Sequence, residues 1–181
     1  VVQDGVTGTN STIQSSVNAA LITNINTLQL TGTANLLGTA NSANDTLISN
    51  TGVDTLVGGA GNDLFVLNNA ADVVQDGVTG TNSTIQSSVN AALFTNVNML
   101  QLTGTANLLG TANSANDTLI SNAGVDTLVG GAGNDLFVIN NSSDVVQNGS
   151  GTASSVIQSS VSYVLPTNVN TLTLTGSADL S

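Results

Sequence analysis

The sequence predicts an all-β fold, a parallel solenoid wound in coils of about 18 residues, on three observations. The chain repeats: VVQDGVTGTNSTIQSSVNAAL starts at Val1 and again at Val73, and a shortened relative, VVQNGSGTASSVIQSSVSYVL, starts at Val145, a spacing of 72 both times. Inside the repeat, Asp45, Asp54, Asp63 and Asp72 fall nine residues apart, and Asp117, Asp126, Asp135 and Asp144 repeat the pattern. Each nine-residue frame then joins a turn-forming half, rich in Gly, Asn, Ser and Ala, to a short β-favouring half. Strands bounded by turns at a fixed short period stack into solenoids. Two frames make one two-stranded coil, so a 72-residue unit holds four coils.

The units are residues 1–72, 73–144 and the partial 145–181, expected to form one continuous solenoid. The first two differ only at Ile22/Phe94, Ile25/Val97, Thr27/Met99, Thr51/Ala123, Leu67/Ile139, Ala70/Ser142 and Ala71/Ser143, which leaves 65 of 72 positions identical. The third stops half-way, as an excerpt from a longer array does. In order along the unit, IQSSV (from Ile13, Ile85 and Ile157) alternates like a half-buried strand. Leu28 and Leu30 alternate in the next strand, and Pro166, replacing Ile22 and Phe94, marks a loop or strand edge. The frames ANSANDTLI, SNTGVDTLV, GGAGNDLFV and NNAADVV follow, with the grid offset by one or two residues across STIQSSVNAALFTNVNMLQL. Alternation places Leu47, Leu56, Phe65 and Val74 inward and Thr46, Thr55, Leu64 and Val73 outward. A helix would need apolar residues at a 3.6 period and far fewer Gly, Asn and Thr. The threonines reflect β-propensity rather than a flat ladder, since Leu64 interrupts the outward row.

Composition excludes several functions. The 181 residues include no Lys, Arg, His, Cys or Glu, and all eleven acidic residues are Asp, for a net charge of −11. Nucleic acid needs basic residues to displace counterions. No apolar run approaches the roughly 18 residues that span a bilayer. Ser and Thr lack a base to activate them, so catalysis is not expected. Only Phe65, Phe94, Phe137 and Tyr163 are aromatic, so the core must be thin and aliphatic.

GGAGNDLFV, at Gly58–Val66 and Gly130–Val138, resembles the GGxGxDxUx nonapeptide of the repeats-in-toxin (RTX) family. DVV, IQSSV, NVNTLTLTG and GTANLLGTA resemble the longer repeats between RTX nonapeptides in large secreted bacterial proteins. The resemblance implies a β-roll in which turns of neighbouring coils hold calcium through aspartate carboxylates and backbone carbonyls, in a segment folding after type I export. The residues support this reading independently. An 18-residue coil stacks Asp45 on Asp63 along one edge and Asp54 on Asp72 along the other. Carboxylates about 4.8 Å apart repel by about 1 kcal/mol in water and about 3.5 kcal/mol at an effective dielectric of 20. No internal cation relieves this, and an all-oxygen donor set suits Ca2+ rather than zinc.

The expected ligands are therefore Asp45 and Asp63 with Gly58, Gly59 and Gly61, then Asp54 and Asp72. Their counterparts are Asp117 and Asp135 with Gly130, Gly131 and Gly133, then Asp126 and Asp144. Against this stands a metal-free alternative, in which stacked Asp and Asn side chains cap the turn N–H groups. The full motif occurs once per unit, because ANSAND lacks the glycine pair, SNTGVD keeps Gly52 alone and NNAAD has none. Asp4, Asp76 and Asp179 lie off the grid and are expected to be solvated turn residues. The expected function is a non-catalytic, calcium-stabilised rod on the cell surface or outside the cell, self-associating as a filament, surface layer or stalk. The competing expectation is an accessory module for export and folding of a secreted enzyme or adhesin.

Overall fold

A computed structural model describes residues 11–77, 82–149, 154–177 and 179–180. The chain forms two compact units, Val1–Gln86 with Phe94–Val97, and Ser87–Leu93 with Asn98–Ser181. Every regular element among the described residues is a β-strand, and the pairing within each unit is parallel.

In the first unit, β1 (Thr12–Ser15), β3 (Thr27–Leu30), β5 (Thr46–Ile48), β7 (Leu64–Leu67) and most of β9 (Ser83–Ser87) stack in that order as one sheet. The intervening strands β2 (Ala19–Ala20), β4 (Leu37–Thr39), β6 (Thr55–Val57) and β8 (Val73–Gln75) stack as a second. Successive strands thus alternate between two sheets, the winding of a β-solenoid. The second unit repeats it. There β10 (Ala91–Ala92), β12 (Leu109–Thr111), β14 (Thr127–Val129) and β16 (Val145–Gln147) form the shorter sheet. Most of β11 (Val97–Leu102), with β13 (Thr118–Ile120), β15 (Leu136–Ile139), β17 (Val156–Ser159) and β18 (Thr171–Leu174), forms the longer one.

Coil length is not uniform. Leu100 pairs with Leu119, Leu119 with Phe137, Phe137 with Ile157 and Ile157 with Leu172. These offsets are 19, 18, 20 and 15 residues, totalling 72. The mean of 18 holds while individual coils depart from it further than the sequence grid shows. The 15-residue coil tightens through a turn closed by Val169 N–H donating to the Pro166 carbonyl, with Asn168 at φ 66°. Asn24 (φ 71°) and Asn96 (φ 69°) occupy the same place in the other copies. A positive φ at the third turn position suits Asn, whose short polar side chain tolerates the left-handed region. Pro166 thus sits at the start of a turn, as its substitution pattern suggests.

The core follows the alternation. Leu28, Leu47, Leu56, Phe65, Leu100, Leu119, Leu128 and Phe137 are fully buried, and Val74 and Val146 nearly so. Thr46, Thr55 and Leu64 are half-buried on the outer surface, and Val73 is exposed. Each inward side chain stacks on the equivalent one a coil away, so small aliphatics make a continuous apolar column without large rings. Phe65 and Phe137 supply the widest rungs, each contributing up to about 3 kcal/mol of burial.

Candidate metal centre

The grid aspartates are buried, all of them at or below 4% exposure. Six of the eight carboxylates, all but those of Asp45 and Asp117, do two jobs each. Oδ2 accepts an N–H from its own turn: Asn41 to Asp45 at 2.8 Å, Asn50 to Asp54 at 2.6 Å, Gly59 to Asp63 at 3.0 Å and Asn69 to Asp72 at 3.3 Å. Oδ1 reaches one coil back. Asp45 N–H donates to Asp63 Oδ1 at 2.9 Å, Asp54 N–H to Asp72 Oδ1 at 2.8 Å and Leu36 N–H to Asp54 Oδ1 at 2.8 Å. The second unit matches, with Asp117 N–H on Asp135 Oδ1 at 3.1 Å and Asp126 N–H on Asp144 Oδ1 at 2.8 Å. Each of these six carboxylates therefore ties its turn to the preceding rung.

The ladder starts unevenly. Asp45 Oδ1 and Asp117 Oδ1 are buried and accept no hydrogen bond. The coil below Asp45 is offset by 19 residues, so no aspartate backbone lies beneath it to donate. A cavity of about 280 Å3, lined by Thr23, Asn24, Asn26, Asn41, Ser42 and Ala43, lies beside this turn. At the upper end, Asp63 N–H donates to Ser83 Oγ at 3.1 Å and Asp135 N–H to Ser155 Oγ at 3.0 Å, so a serine takes over from aspartate.

Glycine is required where rungs touch. A Cβ on Gly59 would overlap the Asn41 carbonyl, and one on Gly61 the Ala43 carbonyl. Gly131 and Gly133 meet the carbonyls of Asn113 and Ala115 in the same way. Gly61 also needs its positive φ of 116°. Gly58 faces side chains instead, since a Cβ there would meet Asp63 Oδ2 and Asp76 Oδ1.

Asp76 is the position the sequence misplaces. It is 5% exposed rather than solvated, and its charge adds to that of Asp63. Asp76 follows β8 one 18-residue coil above Gly58, at a position the aspartate grid does not mark. Asn148 replaces it in the second unit. Asp179 is exposed as expected, and Asp4 lies outside the described residues.

Burial is the main cause of raised carboxyl pKa values at Asp45, Asp63, Asp72, Asp117 and Asp135. Neighbouring charge adds to it, Asp63 acting on Asp45 and Asp135 on Asp117. Asp117 is pushed up to about 6. A carboxyl raised on folding adds stability that is complete below its unfolded value and lost as pH rises through its folded value. With calcium chelated, the melting midpoint is expected to rise as pH falls from about 7.5 to about 5, through the folded value of Asp117. Thermal melts in chelator across this range test it, and a midpoint that falls toward pH 5 contradicts it.

Among the described residues no three acidic side chains converge as a metal cluster, so an ion would draw most of its ligands from the backbone. The donors available are carboxylate and carbonyl oxygens, the set a hard cation prefers. The carbonyls of Asn41 and Ala43, and of Asn113 and Ala115, face the glycine turns above them and fit such an ion. The family model described as RTX calcium-binding nonapeptide repeat (4 copies) matches residues 39–74 and 111–146. These segments coincide with the frames that carry the stacked aspartates. The chain carries RTX-type nonapeptide repeats set in a β-roll. RTX nonapeptide repeats bind calcium, so Ca2+ is the ion this β-roll takes. No curated protein and no solved structure matches the chain. No helix among its described residues is long and apolar enough to cross a membrane.

Proposed function

We propose that this RTX chain is a non-catalytic structural segment of a secreted bacterial protein, its solenoid coils hardened by calcium outside the cell. The observation that carries the reading is the stack of buried aspartates in a chain with no positive side chain. Such a stack carries its full repulsion in an ion-poor medium and loses it where calcium is abundant, which links rigidity to export by a type I system. Bound calcium supplies the missing positive charge. Asp45 and Asp63, with the turn of Gly58, Gly59 and Gly61, hold it in the first repeat, and Asp117 and Asp135, with Gly130, Gly131 and Gly133, in the second.

Near-identical repeats present identical strand edges, and like strands already pair in parallel inside each unit. Edge pairing between copies gives end-to-end assembly into a filament, surface layer or stalk. Electron microscopy of the purified chain tests this. Ordered assemblies in millimolar calcium that disperse in chelator are expected. Single particles in both conditions would instead favour the accessory role, a module for export and folding of a neighbouring enzyme or adhesin.

The site assignment has its own test. Asp63→Asn keeps an acceptor for Asp45 N–H but removes the charge, and is expected to weaken calcium binding at least about tenfold, or about 1.4 kcal/mol. Asp179→Asn is expected to leave the titration unchanged. Equal affinities for the two variants would move the site elsewhere.

A further inference from the structure

In three of the four aspartate frames of each unit an asparagine opens the turn: Asn41 and Asn50 stand where GGAGND has its second glycine and Asn69 stands one residue later, with Asn113, Asn122 and Asn141 as their counterparts. Their side chains do what an ion between rungs would do. Oδ1 accepts an N–H from the same turn, two residues on, at 2.8 Å for Asn41 and 3.0 Å for Asn69. Nδ2 points to the preceding coil and donates to backbone carbonyls of the turn below. Asn41 reaches the carbonyls of Ile22 (3.1 Å) and Ile25 (2.8 Å), and Asn69 those of Thr51 (3.1 Å) and Gly52 (3.0 Å). Asn50 donates to the Ala34 carbonyl at 3.0 Å; its equivalent Asn122 reaches Thr103 at 3.3 Å and Ala106 at 3.0 Å. Asn141 reaches Gly124 at 2.9 Å.

One amide nitrogen carries two N–H donors and no charge. It gathers two carbonyl oxygens at one point, as a hard cation does, without adding a ligand that must come from solution. Gly59 and Gly131 have no side chain, so no amide reaches the Asn41 and Ala43 carbonyls, or those of Asn113 and Ala115, from the rung above.

We propose that these turn asparagines are built-in replacements for calcium. Turns 49–54 and 68–72, with 121–126 and 140–144, are closed by their own amides and take no ion. Calcium is confined to the other edge, between turns 40–45 and 58–63 and between turns 112–117 and 130–135. The Asp54/Asp72 and Asp126/Asp144 edges are then permanently set, and the ion acts on one edge of each repeat. This rests on the calcium reading above and narrows it.

The test converts one closed turn into an open one in the full chain. Asn50→Gly makes the turn read SGTGVD, with the glycine spacing of GGAGND, and Asn50→Asp keeps the side-chain size while removing the donors. Calcium bound per chain is measured by equilibrium dialysis, and melting is followed in calcium and in chelator. Both variants are expected to bind about one further ion than the parent. Both are expected to melt about 2–4 °C lower in chelator, with the deficit shrinking in calcium. An unchanged ion count, an equal deficit in both buffers, or no deficit in chelator overturns the proposal. A parent chain that binds no calcium overturns the calcium reading itself, whereas a parent that binds while Asn50→Gly adds nothing overturns only this inference.

Discussion

Chelating calcium is expected to lower the melting temperature by about 5–10 °C. An ion bound only to the folded state adds about 2.7 kcal/mol when present at a hundred times its dissociation constant. For a chain of this size each kcal/mol moves the midpoint by about 2–4 °C. The physical source is the carboxylate stack. Asp45, Asp63, Asp117 and Asp135 are buried, Asp63 pushes Asp45 and Asp135 pushes Asp117 toward the neutral form, and the sequence offers no lysine, arginine or histidine in compensation. Backbone N–H groups relieve part of the burden, since they already occupy one lone pair on most of these oxygens. The remainder awaits a cation. Circular dichroism melts in excess calcium and in chelator measure the difference, and coincident curves would contradict it. The advantage of calcium should shrink near pH 5, because protons compete for the same oxygens.

Gly59→Ala is expected to destabilise the chain by at least about 3 kcal/mol, at the upper end of what overpacking does. The added methyl would occupy the space of the Asn41 carbonyl oxygen, which belongs to the backbone of the rung below and has no rotamer to change. Relief requires the rungs to separate, which stretches the Asp45–Asp63 hydrogen bond at 2.9 Å and the adjoining strand pairs. Gly131→Ala should behave alike, since its methyl would meet the Asn113 carbonyl. Thr51→Ala is the control. The second repeat already carries Ala123 there, and a change within about 0.5 kcal/mol is expected. Denaturant unfolding separates the two, and a mild Gly59→Ala would mean that the turns are not in close contact.

Much of this architecture is legible from spacing. Leu47, Leu56, Phe65 and Val74 point inward because strands alternate, and the nine-residue aspartate grid places Asp45 under Asp63 and Asp54 under Asp72. The coil offsets of 15 and 20 residues are not legible, because they cancel over the repeat and leave its length unchanged. Asp76 was hidden because it lies off the aspartate grid, and only the stacking of β8 on β6 shows that it lies over Gly58 beside Asp63. The asparagines were hidden by their chemistry. In sequence, Asn for Gly reads as a weakened calcium turn, while the carbonyls that Asn41 and Asn69 bind lie 16–19 residues away. Only the register of the rungs shows that an amide stands where an ion would. The recurring Asn four residues before Asp45 and Asp54 was the available signal.

Crystals grown in calcium, or exchanged into a lanthanide for a stronger signal, place the ions directly through an anomalous difference map. Peaks are expected between turns 40–45 and 58–63 and between turns 112–117 and 130–135, with the Asn50, Asn69, Asn122 and Asn141 amides still on their carbonyls and no peak beside them. Peaks along the asparagine edge, or none beside Asp63 and Asp135, would contradict the account.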